Sequence, residues 1–161
     1  MKRLVFILLS LTILSSCGED SDGVTRTYQE QLAFDLERIE GYIAENQLTG
    51  FQSTESGLHY KITATGNGLR PQPGNQVSVA YVGRTVEGGV FDQSAPGVPI
   101  EFILGRGQVI PGWDEGIQLV EEEGSATLIL PSGLAYGTQN VNTFIGPNEI
   151  LIFDVTLVDF Q

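Results

Sequence analysis

Residues 104–116, which read LGRGQVIPGWDEG, constrain the fold of this chain more than any other stretch. They contain the only tryptophan, Trp113, and they place Pro111 directly after the apolar pair Val109 and Ile110. Proline suits the first turn of a helix because its φ angle is already set and the first turn has no use for the N–H that proline lacks. A helix is therefore predicted to begin at this proline, just before the tryptophan.

The predicted helix is short, covering about residues 112–120, and it places Trp113, Ile117 and Val120 on one face. Two acidic residues suit its positively polarised N-terminal end: Asp114 and Glu115. A tryptophan in the first turn, behind an apolar loop, can form the floor of an apolar pocket. It can equally be a core residue that only fills volume, and this stretch alone leaves both interpretations open.

From residue 56 onwards, apolar and polar residues alternate in short runs separated by glycine and proline, which is typical of β-strands joined by turns. The predicted strands cover residues 58–62, 77–83, 90–92, 100–104, 126–130 and 149–160. The sequence Glu87-Gly88-Gly89 predicts a hairpin turn, and residues 132–148 are predicted to form a long loop. Five or six antiparallel strands with one short helix indicate an α+β domain in which the helix packs against a curved sheet.

Residues 1–16 have the pattern of a signal peptide. Lys2 and Arg3 precede an eleven-residue apolar run, which is too short to span a bilayer and suits a signal-peptide core. The run ends in Leu14-Ser15-Ser16-Cys17, which resembles the bacterial lipobox, where small residues precede a cysteine that is lipidated. We therefore expect removal of residues 1–16 and attachment of acyl chains such as palmitate to Cys17. Ordinary secretion with an incidental cysteine is the alternative.

Acidic residues outnumber basic ones by 20 to 8, which gives a formal charge of −12. Binding to nucleic acid is not expected, because phosphate contacts need clustered Lys and Arg. Residues 17–26 are predicted to form an acidic tether, and this acidic run also resembles the surface-export signals of lipoproteins in the Bacteroidetes group. The predicted location is the bacterial cell envelope, as a lipoprotein anchored in the outer membrane on its periplasmic or surface side.

The cysteine and histidine counts limit the chemistry. One cysteine, Cys17, excludes an internal disulfide framework and a cysteine-based zinc cluster. One histidine, His59, excludes a multi-histidine metal site, and its place in an alternating run, GLHYKI, predicts a structural or surface residue. No metal site and no cofactor are therefore expected.

Residues 27–47 are predicted to form a helix ahead of the domain. Apolar residues recur at spacings of three and four and form one stripe: Tyr28, Leu32, Leu36, Ile39 and Ile43. The predicted charged face is acidic apart from Arg38, which argues against a membrane-surface helix: Glu30, Asp35, Glu37, Glu40 and Glu45. The helix is expected to pack on the domain or on a second copy of itself, so it is also a candidate for homodimer formation.

Five separated segments resemble the FKBP-type peptidyl-prolyl cis-trans isomerases in order and spacing. They are 81–83 (YVG), 91–92 (FD), 102–116, 130–137 (LPSGLAYG) and 151–155 (LIFDV). The resemblance covers about residues 56–161, nearly two thirds of the chain. It implies an FKBP-like fold and an isomerase domain over residues 51–161, preceded by a helical segment over 27–50. The helix and the lipobox look like those of membrane-anchored bacterial members.

The resemblance also implies a site. Trp113 would form the floor under a proline ring, the Tyr136 hydroxyl and the Ile110 N–H would each bind a substrate carbonyl, and Asp92 would orient the Tyr81 ring. Catalytic roles are implied for four residues: Tyr81, Asp92, Trp113 and Tyr136. Substrate-binding roles are implied for Phe91, Ile100, Val109, Ile110, Phe144, Ile145 and Phe153. Without the resemblance, the strand aromatics would be interpreted as core residues and Asp92 as a turn residue.

Two departures from the family pattern concern ligand affinity more than the fold. Ile100 occupies a position that is often aromatic, and residues 93–98 lack the arginine that well-known eukaryotic members carry beside the aspartate. They leave macrolide affinity and the tightness of the proline pocket open, although apolar pockets tolerate aliphatic replacements at modest cost.

Rotation about a peptide bond meets a barrier of roughly 18–20 kcal/mol and breaks no covalent bond. A water-poor pocket that favours the twisted amide is sufficient for catalysis, without a nucleophile or a metal. The predicted function is therefore peptidyl-prolyl cis-trans isomerisation in proline-containing secreted or envelope polypeptides. The alternative is a non-catalytic chaperone or partner-binding module of the same fold.

Overall fold

The computed structural model describes residues 18–19 and 25–161. The predicted signal peptide, Cys17 and most of the predicted acidic tether lie outside these residues, so the predictions made for them stay predictions. Two short strands, β1 (Gly18–Glu19) and β2 (Thr25–Arg26), pair antiparallel ahead of the first helix.

Helix α1 covers Tyr28–Glu45, within two residues of the prediction at each end. It begins at a capping box, in which Thr27 Oγ1 accepts a hydrogen bond from the Glu30 N–H at 3.3 Å and the Glu30 carboxylate accepts one from the Thr27 N–H at 2.8 Å. Its most buried positions are Gln31, Asp35 and Ile39, at a spacing of four.

Two residues of this helix, Asp35 and Tyr28, differ in exposure from the prediction. Asp35 was predicted to lie on the charged face, but it is fully buried, because residues 31, 35 and 39 face the domain together. Tyr28 was predicted to lie on the apolar stripe and is 57% exposed.

Seven strands form one antiparallel sheet. They are β3 (Gln52–Ser53), β4 (His59–Ala64), β5 (Gln76–Thr85), β6 (Val90–Gln93), β7 (Ile100–Ile103), β8 (Ser125–Leu130) and β9 (Leu151–Phe160). The order across the sheet is β3-β4-β8-β9-β5-β6, and β7 also pairs with β5. Strand β5 pairs with β9 along one edge. Along its other edge it pairs with β7 at Gln76–Val79 and with β6 at Val82–Arg84. The strand beyond the predicted five or six is β3, whose two exposed residues show no alternation.

The predicted helix at the tryptophan begins at the proline and is shorter than predicted. Helix α2 covers Pro111–Gly116 and continues as a 3₁₀ turn over Ile117–Leu119. Its backbone lies close to β8: a Cβ built on Gly112 would be 2.4 Å from Leu130 Cδ2. Only glycine fits at that position, and this close approach brings the next residue, Trp113, into the main core.

The two helices lie on opposite faces of the sheet, because successive strand residues point to opposite faces. Leu128 and Phe153 belong to the main core with Trp113, whereas Ile129 and Ile152 form a second core with Ile39 of α1. The first of the two expected packing modes for α1, against its own domain, is therefore observed. The boundary between 27–50 and 51–161 stays a prediction about chain organisation.

The remaining local features agree with the sequence pattern. The β5–β6 hairpin closes through a hydrogen bond from the Thr85 N–H to the Gly89 carbonyl oxygen at 3.0 Å. His59 is buried at the start of β4, and its Nδ1 lies 3.0 Å from the Gly57 carbonyl oxygen. Neither α1 nor α2 has both the length and the apolar composition that a bilayer-crossing helix needs, a statement that covers the described residues only.

Candidate active site

Trp113 lies at the centre of an aromatic cluster built from four elements. Its ring centroid is 4.9 Å from that of Tyr81 on β5 and 5.3 Å from that of Phe153 on β9, with interplanar angles of 83° and 86°. Phe102 on β7 lies 5.9 Å away at a tilted angle. Edge-to-face packing of this kind is favoured because the positive ring edge meets the negative ring face. The rings therefore hold one another in fixed orientations.

Gly83 allows a further pair of rings to meet over the strand. Phe91 on β6 packs edge to face on Phe153, with centroids 5.6 Å apart at 90°. A Cβ at position 83 would be 2.7 Å from Phe91 Cζ and 2.9 Å from Phe153 Cε1. The glycine of the YVG motif is therefore a packing requirement of the aromatic cluster.

The Tyr81 hydroxyl donates a hydrogen bond to Asp92 Oδ2 at 2.6 Å, and Asp92 Oδ1 accepts one from the Gln93 N–H at 2.9 Å. Burial raises the pKa of Tyr81 well above its usual range, and the hydrogen bond to Asp92 and the negative charge of Asp92 raise it further. Ser94 fixes the backbone of the same tyrosine, because its Oγ accepts from the Tyr81 N–H at 3.0 Å. Tyr81 is thus a neutral, oriented ring at physiological pH.

Tyr136 supplies a second phenol, on the loop after β8. Burial raises the pKa of the Tyr136 hydroxyl, and the negative charge of Asp92 raises it further. Among residues 25–161 the Tyr136 hydroxyl has no hydrogen-bond partner. A neutral phenol without a partner, in partly desolvated surroundings, is a donor available to a carbonyl group.

Asp114 holds the loop that leads to Val109 and Ile110. Its Oδ1 accepts from the Gly105 N–H at 2.8 Å and its Oδ2 from the Gly107 N–H at 2.9 Å. Asp114 lies in the first turn of α2, as predicted. Its carboxylate also binds the preceding loop through these two hydrogen bonds. Val109 and Ile110 are half-buried and pack against the main core.

Most of the predicted site residues lie around the Trp113 cluster. Half-buried residues packed against the core include Tyr81, Phe91, Ile100, Val109, Ile110 and Tyr136, and the buried members include Trp113, Ile145 and Phe153. Asp92 is exposed and joins them through Tyr81.

The two residues predicted to form an apolar tip over the pocket diverge. Ile145 is 2% exposed and belongs to the core, whereas Phe144 is 60% exposed. The Asn142 side-chain oxygen accepts from the N–H groups of both, at 2.7 and 3.0 Å, and fixes this turn. A substrate contact by Phe144 stays a prediction, and Cys17 lies outside the described residues.

Sequence reasoning missed one ring of the site and one contact near it. Phe102 is a fourth ring of the Trp113 cluster, and the alternation of Ile100, Phe102 and Leu104 was the signal that pointed it inward. Asp35 lies on a distant helix and accepts hydrogen bonds from Ser132, four residues before Tyr136. No local pattern indicates a contact between residues so far apart in the sequence.

A separate groove of about 470 Å³ lies on the other face of the sheet. Its lining includes Ala80, Val82, Asp154 and Thr156, which alternate with the inward-facing residues of β5 and β9. Tyr81 also borders this groove, but its ring packs on Trp113 on the aromatic side of the sheet, the side of the main core, where Tyr136 also packs. The aromatic side is therefore the candidate active site, since it combines apolar walls with neutral hydrogen-bond donors in the manner of small-molecule and peptide sites.

Comparison with known proteins gives one family. A model of the FKBP-type peptidyl-prolyl cis-trans isomerases matches residues 68–158, more than half of the chain. A probable FKBP-type peptidyl-prolyl cis-trans isomerase FkpA from Neisseria meningitidis is 49% identical over 124 residues, which are 76% of this chain and 45% of that protein. The outer membrane protein MIP of Legionella longbeachae is 40% identical over 119 residues, which are 73% of this chain and 50% of that protein. The chain thus spans about half the length of these curated relatives.

Solved structures are also similar, and two of them illustrate the extent of the similarity. The crystal structure of FkpA from Escherichia coli superposes with a TM-score of 0.69 at 33% identity, covering 83% of this chain and 62% of that one. A peptidyl-prolyl cis-trans isomerase from Pseudomonas syringae superposes with a TM-score of 0.68 at 28% identity, covering 80% of this chain and 95% of that one.

Proposed function

The chain belongs to the FKBP-type peptidyl-prolyl cis-trans isomerase family, and we propose that it catalyses rotation about X–Pro bonds in polypeptides. The observation that carries the proposal is the edge-to-face packing of Trp113 with Tyr81 and Phe153, beside the unpartnered hydroxyl of Tyr136. This arrangement combines a rigid apolar surface for a proline ring with a donor for a neighbouring carbonyl.

The chemistry follows from what must change during rotation. A planar amide is more polar than a twisted one, so water stabilises the ground state. Transfer of the bond into an apolar recess removes that stabilisation, provided that the recess favours the transition state over the ground state. Uncatalysed exchange takes tens to hundreds of seconds, so even a modest preference for the twisted amide is a useful acceleration.

Each polar group has a distinct proposed role. The Tyr136 hydroxyl donates to one substrate carbonyl and the Ile110 N–H donates to a second, which fixes the peptide in a partly turned conformation. Asp92 holds the Tyr81 ring through the 2.6 Å hydrogen bond and shapes the electrostatic field near the twisting carbonyl. No proton transfer is assigned to Asp92.

The test is exchange NMR on a short peptide with one Phe–Pro bond, using the wild-type chain and Tyr136→Phe. We expect wild-type acceleration and a loss of about tenfold in Tyr136→Phe, since one hydrogen bond of about 1.5 kcal/mol corresponds to a factor of that size. Tyr60→Phe is the matched control, since the Tyr60 hydroxyl donates to Gln52 on the neighbouring strand at 3.0 Å. No acceleration by wild-type protein at micromolar concentration would overturn the proposal.

The alternative function, non-catalytic binding of an unfolded client through the same recess, can be distinguished from catalysis by one measurement. It predicts that suppression of client aggregation persists in Tyr136→Phe while peptide exchange is at the uncatalysed rate for both proteins. The isomerase proposal requires exchange activity in the wild-type chain.

We further propose that the protein acts in the bacterial cell envelope, attached to a membrane through acyl chains on Cys17. The envelope location is supported by the similarity to MIP, which is named an outer membrane protein, and the anchor by the lipobox-like sequence before Cys17. Each buried methylene contributes about 0.8 kcal/mol to anchoring. In cells fed labelled palmitate, the wild-type chain should carry the label and appear in the membrane fraction. The Cys17→Ser chain should do neither.

Homodimer formation through the N-terminal helix stays a prediction, and the structure limits which face can form it. Ile39 on the buried face of α1 already packs in the second core. A dimer would use the outward face, where Phe34 is 36% exposed and lies under the Arg26 guanidinium at 4.1 Å. Sedimentation velocity of the wild-type chain and of Phe34→Glu tests this, since a dimer through that face should dissociate in the variant.

A further inference from the structure

Asp35 of α1 is a buried carboxylate with a full set of partners. Its side chain has no exposed surface. Oδ2 accepts hydrogen bonds from the Ser132 N–H at 2.8 Å and from the Ser132 hydroxyl at 2.6 Å, and Oδ1 accepts one from Gln31 Nε2 at 2.7 Å. Charged hydrogen bonds of this kind are about twice as strong as neutral ones. The helix is thus tied to one serine, 97 residues away in the sequence.

Ser132 in turn holds the backbone on both sides of Tyr136. Its carbonyl oxygen accepts from the Ala135 N–H at 3.0 Å and from the Gly137 N–H at 2.9 Å. The Gly137 carbonyl oxygen then accepts from the Asn148 N–H at 2.7 Å, which closes the loop. Tyr136 therefore sits between two residues whose amides share one acceptor, and the residue carrying that acceptor is bound by Asp35.

Side-chain packing supports the same connection. The Tyr28 ring of α1 lies against Gly133, where an added Cβ would be 2.9 Å from Tyr28 Cε2. Leu32, one turn further along, lies against Gly57, where an added Cβ would be 3.0 Å from Leu32 Cδ1. The helix therefore contacts Ser132 through Asp35 and Gly133 through the Tyr28 ring. A shift of the helix would be transmitted through these contacts to Tyr136.

We propose that Asp35 is a positioning residue for Tyr136, so that the N-terminal helix is a component of the isomerase site. The path runs from the Asp35 carboxylate to the Ser132 backbone and hydroxyl, then from the Ser132 carbonyl to the amides that flank Tyr136. This inference rests on the proposed function, in which the Tyr136 hydroxyl binds a substrate carbonyl.

A double-mutant cycle on the full chain in detergent micelles tests the path, with peptide exchange as the readout. We expect Asp35→Ala to lower kcat/KM by about fivefold or more in the wild-type background, since small displacements of a site group are costly. In the Tyr136→Phe background the same substitution should cost less than about twofold, because coupled residues are not additive. The loss should fall mainly on kcat, because the donor acts in the transition state.

Ile39→Ala is the control on the same helix. It loosens α1 at the second core without touching Ser132, so any effect on exchange should be equal in the two backgrounds. Equal losses from Asp35→Ala in both backgrounds would overturn the inference, because they would show that Asp35 supports only the fold.

Ser132→Ala provides a second cycle, and it decides the matter if Asp35→Ala does not fold. It removes only the 2.6 Å hydroxyl hydrogen bond and keeps the N–H donor. Coupling of the same sign with Tyr136→Phe supports the path, and its absence contradicts it.

A third readout separates failure of this inference from failure of the proposed function. The ring ¹³C resonance of Tyr136 in tyrosine-labelled protein should shift in Ser132→Ala even if the wild-type chain has no isomerase activity. An unmoved resonance overturns the positioning role, whereas an inactive wild-type chain overturns the proposed function.

Discussion

Tyr81 of β5 and Asp92 of β6 are diagonal neighbours across the hairpin, since Asp92 pairs with Gly83, and the tyrosine hydroxyl donates a 2.6 Å hydrogen bond to the aspartate. The same tyrosine ring packs edge to face on Trp113. The pair therefore links the exposed rim of the candidate site to its buried floor, and the ionisation of Tyr81 reports on both.

Two of the five tyrosines should ionise late in an alkaline titration that follows tyrosinate absorbance. Burial is the main cause of the raised pKa of both Tyr81 and Tyr136. In Asp92→Asn the pKa of Tyr81 should fall, yet stay above the ordinary value of about 10 because burial persists. Ionisation of all five tyrosines in one ordinary step would contradict the site geometry.

The same shifts predict a loss of stability in alkali. The folded chain keeps the protons of Tyr81 and Tyr136 at a pH where the unfolded chain has released them, so the free energy of unfolding falls as pH rises above about 10. Below that pH these two groups contribute no pH dependence. Urea unfolding at a series of pH values measures this, and Tyr136→Phe should show a shallower alkaline decline than the wild-type chain.

Gly83→Ala should destabilise the protein by about 1–3 kcal/mol, since the added methyl group overpacks Phe91 and Phe153. Gly41→Ala in α1 is the matched control, because a Cβ there has no heavy atom within 4 Å and alanine favours a helix by roughly 0.5–1 kcal/mol. Urea unfolding gives both values. A Gly83→Ala protein as stable as wild type would show that the two rings do not meet over the strand as described.

Asp114→Ala should free the Gly105 and Gly107 amides and disorder the loop before Val109. We expect faster hydrogen exchange at those two amides and a fall of about threefold to tenfold in kcat/KM for peptide exchange. Glu115→Gln is the control, since Glu115 accepts a hydrogen bond from Ser56 on another segment. Unchanged amide exchange in Asp114→Ala would contradict the assigned bridge.

The strands and the tryptophan helix could be predicted because their signals are local. Period-two runs bounded by glycine and proline gave the long strands, and the proline before Trp113 marked the start of α2. The two-residue strand β3 is too short to show alternation, so its local pairing with β4 leaves no periodic signal in the sequence.

The site could be predicted only in part, and the limits are physical. The resemblance identified Tyr81, Trp113 and Phe153, which the fold brings together. It did not indicate that Asp35 is buried. Helical spacing places position 35 beside Leu32 and Ile39, but a carboxylate is normally exposed unless a partner such as Ser132 meets it. Nor could the pattern separate Ile145 from Phe144, whose opposite exposures are set by the Asn142 turn.

In the proposed mechanism this site rotates X–Pro bonds by non-covalent stabilisation, without proton transfer. The most direct test is the pH dependence of kcat/KM for one Phe–Pro peptide, measured by exchange NMR between pH 7 and 9. Because Tyr81 and Tyr136 keep their protons throughout this interval, we expect clear acceleration that varies by less than about twofold. A bell-shaped or steeply sloping profile, or no acceleration at any pH, would contradict it.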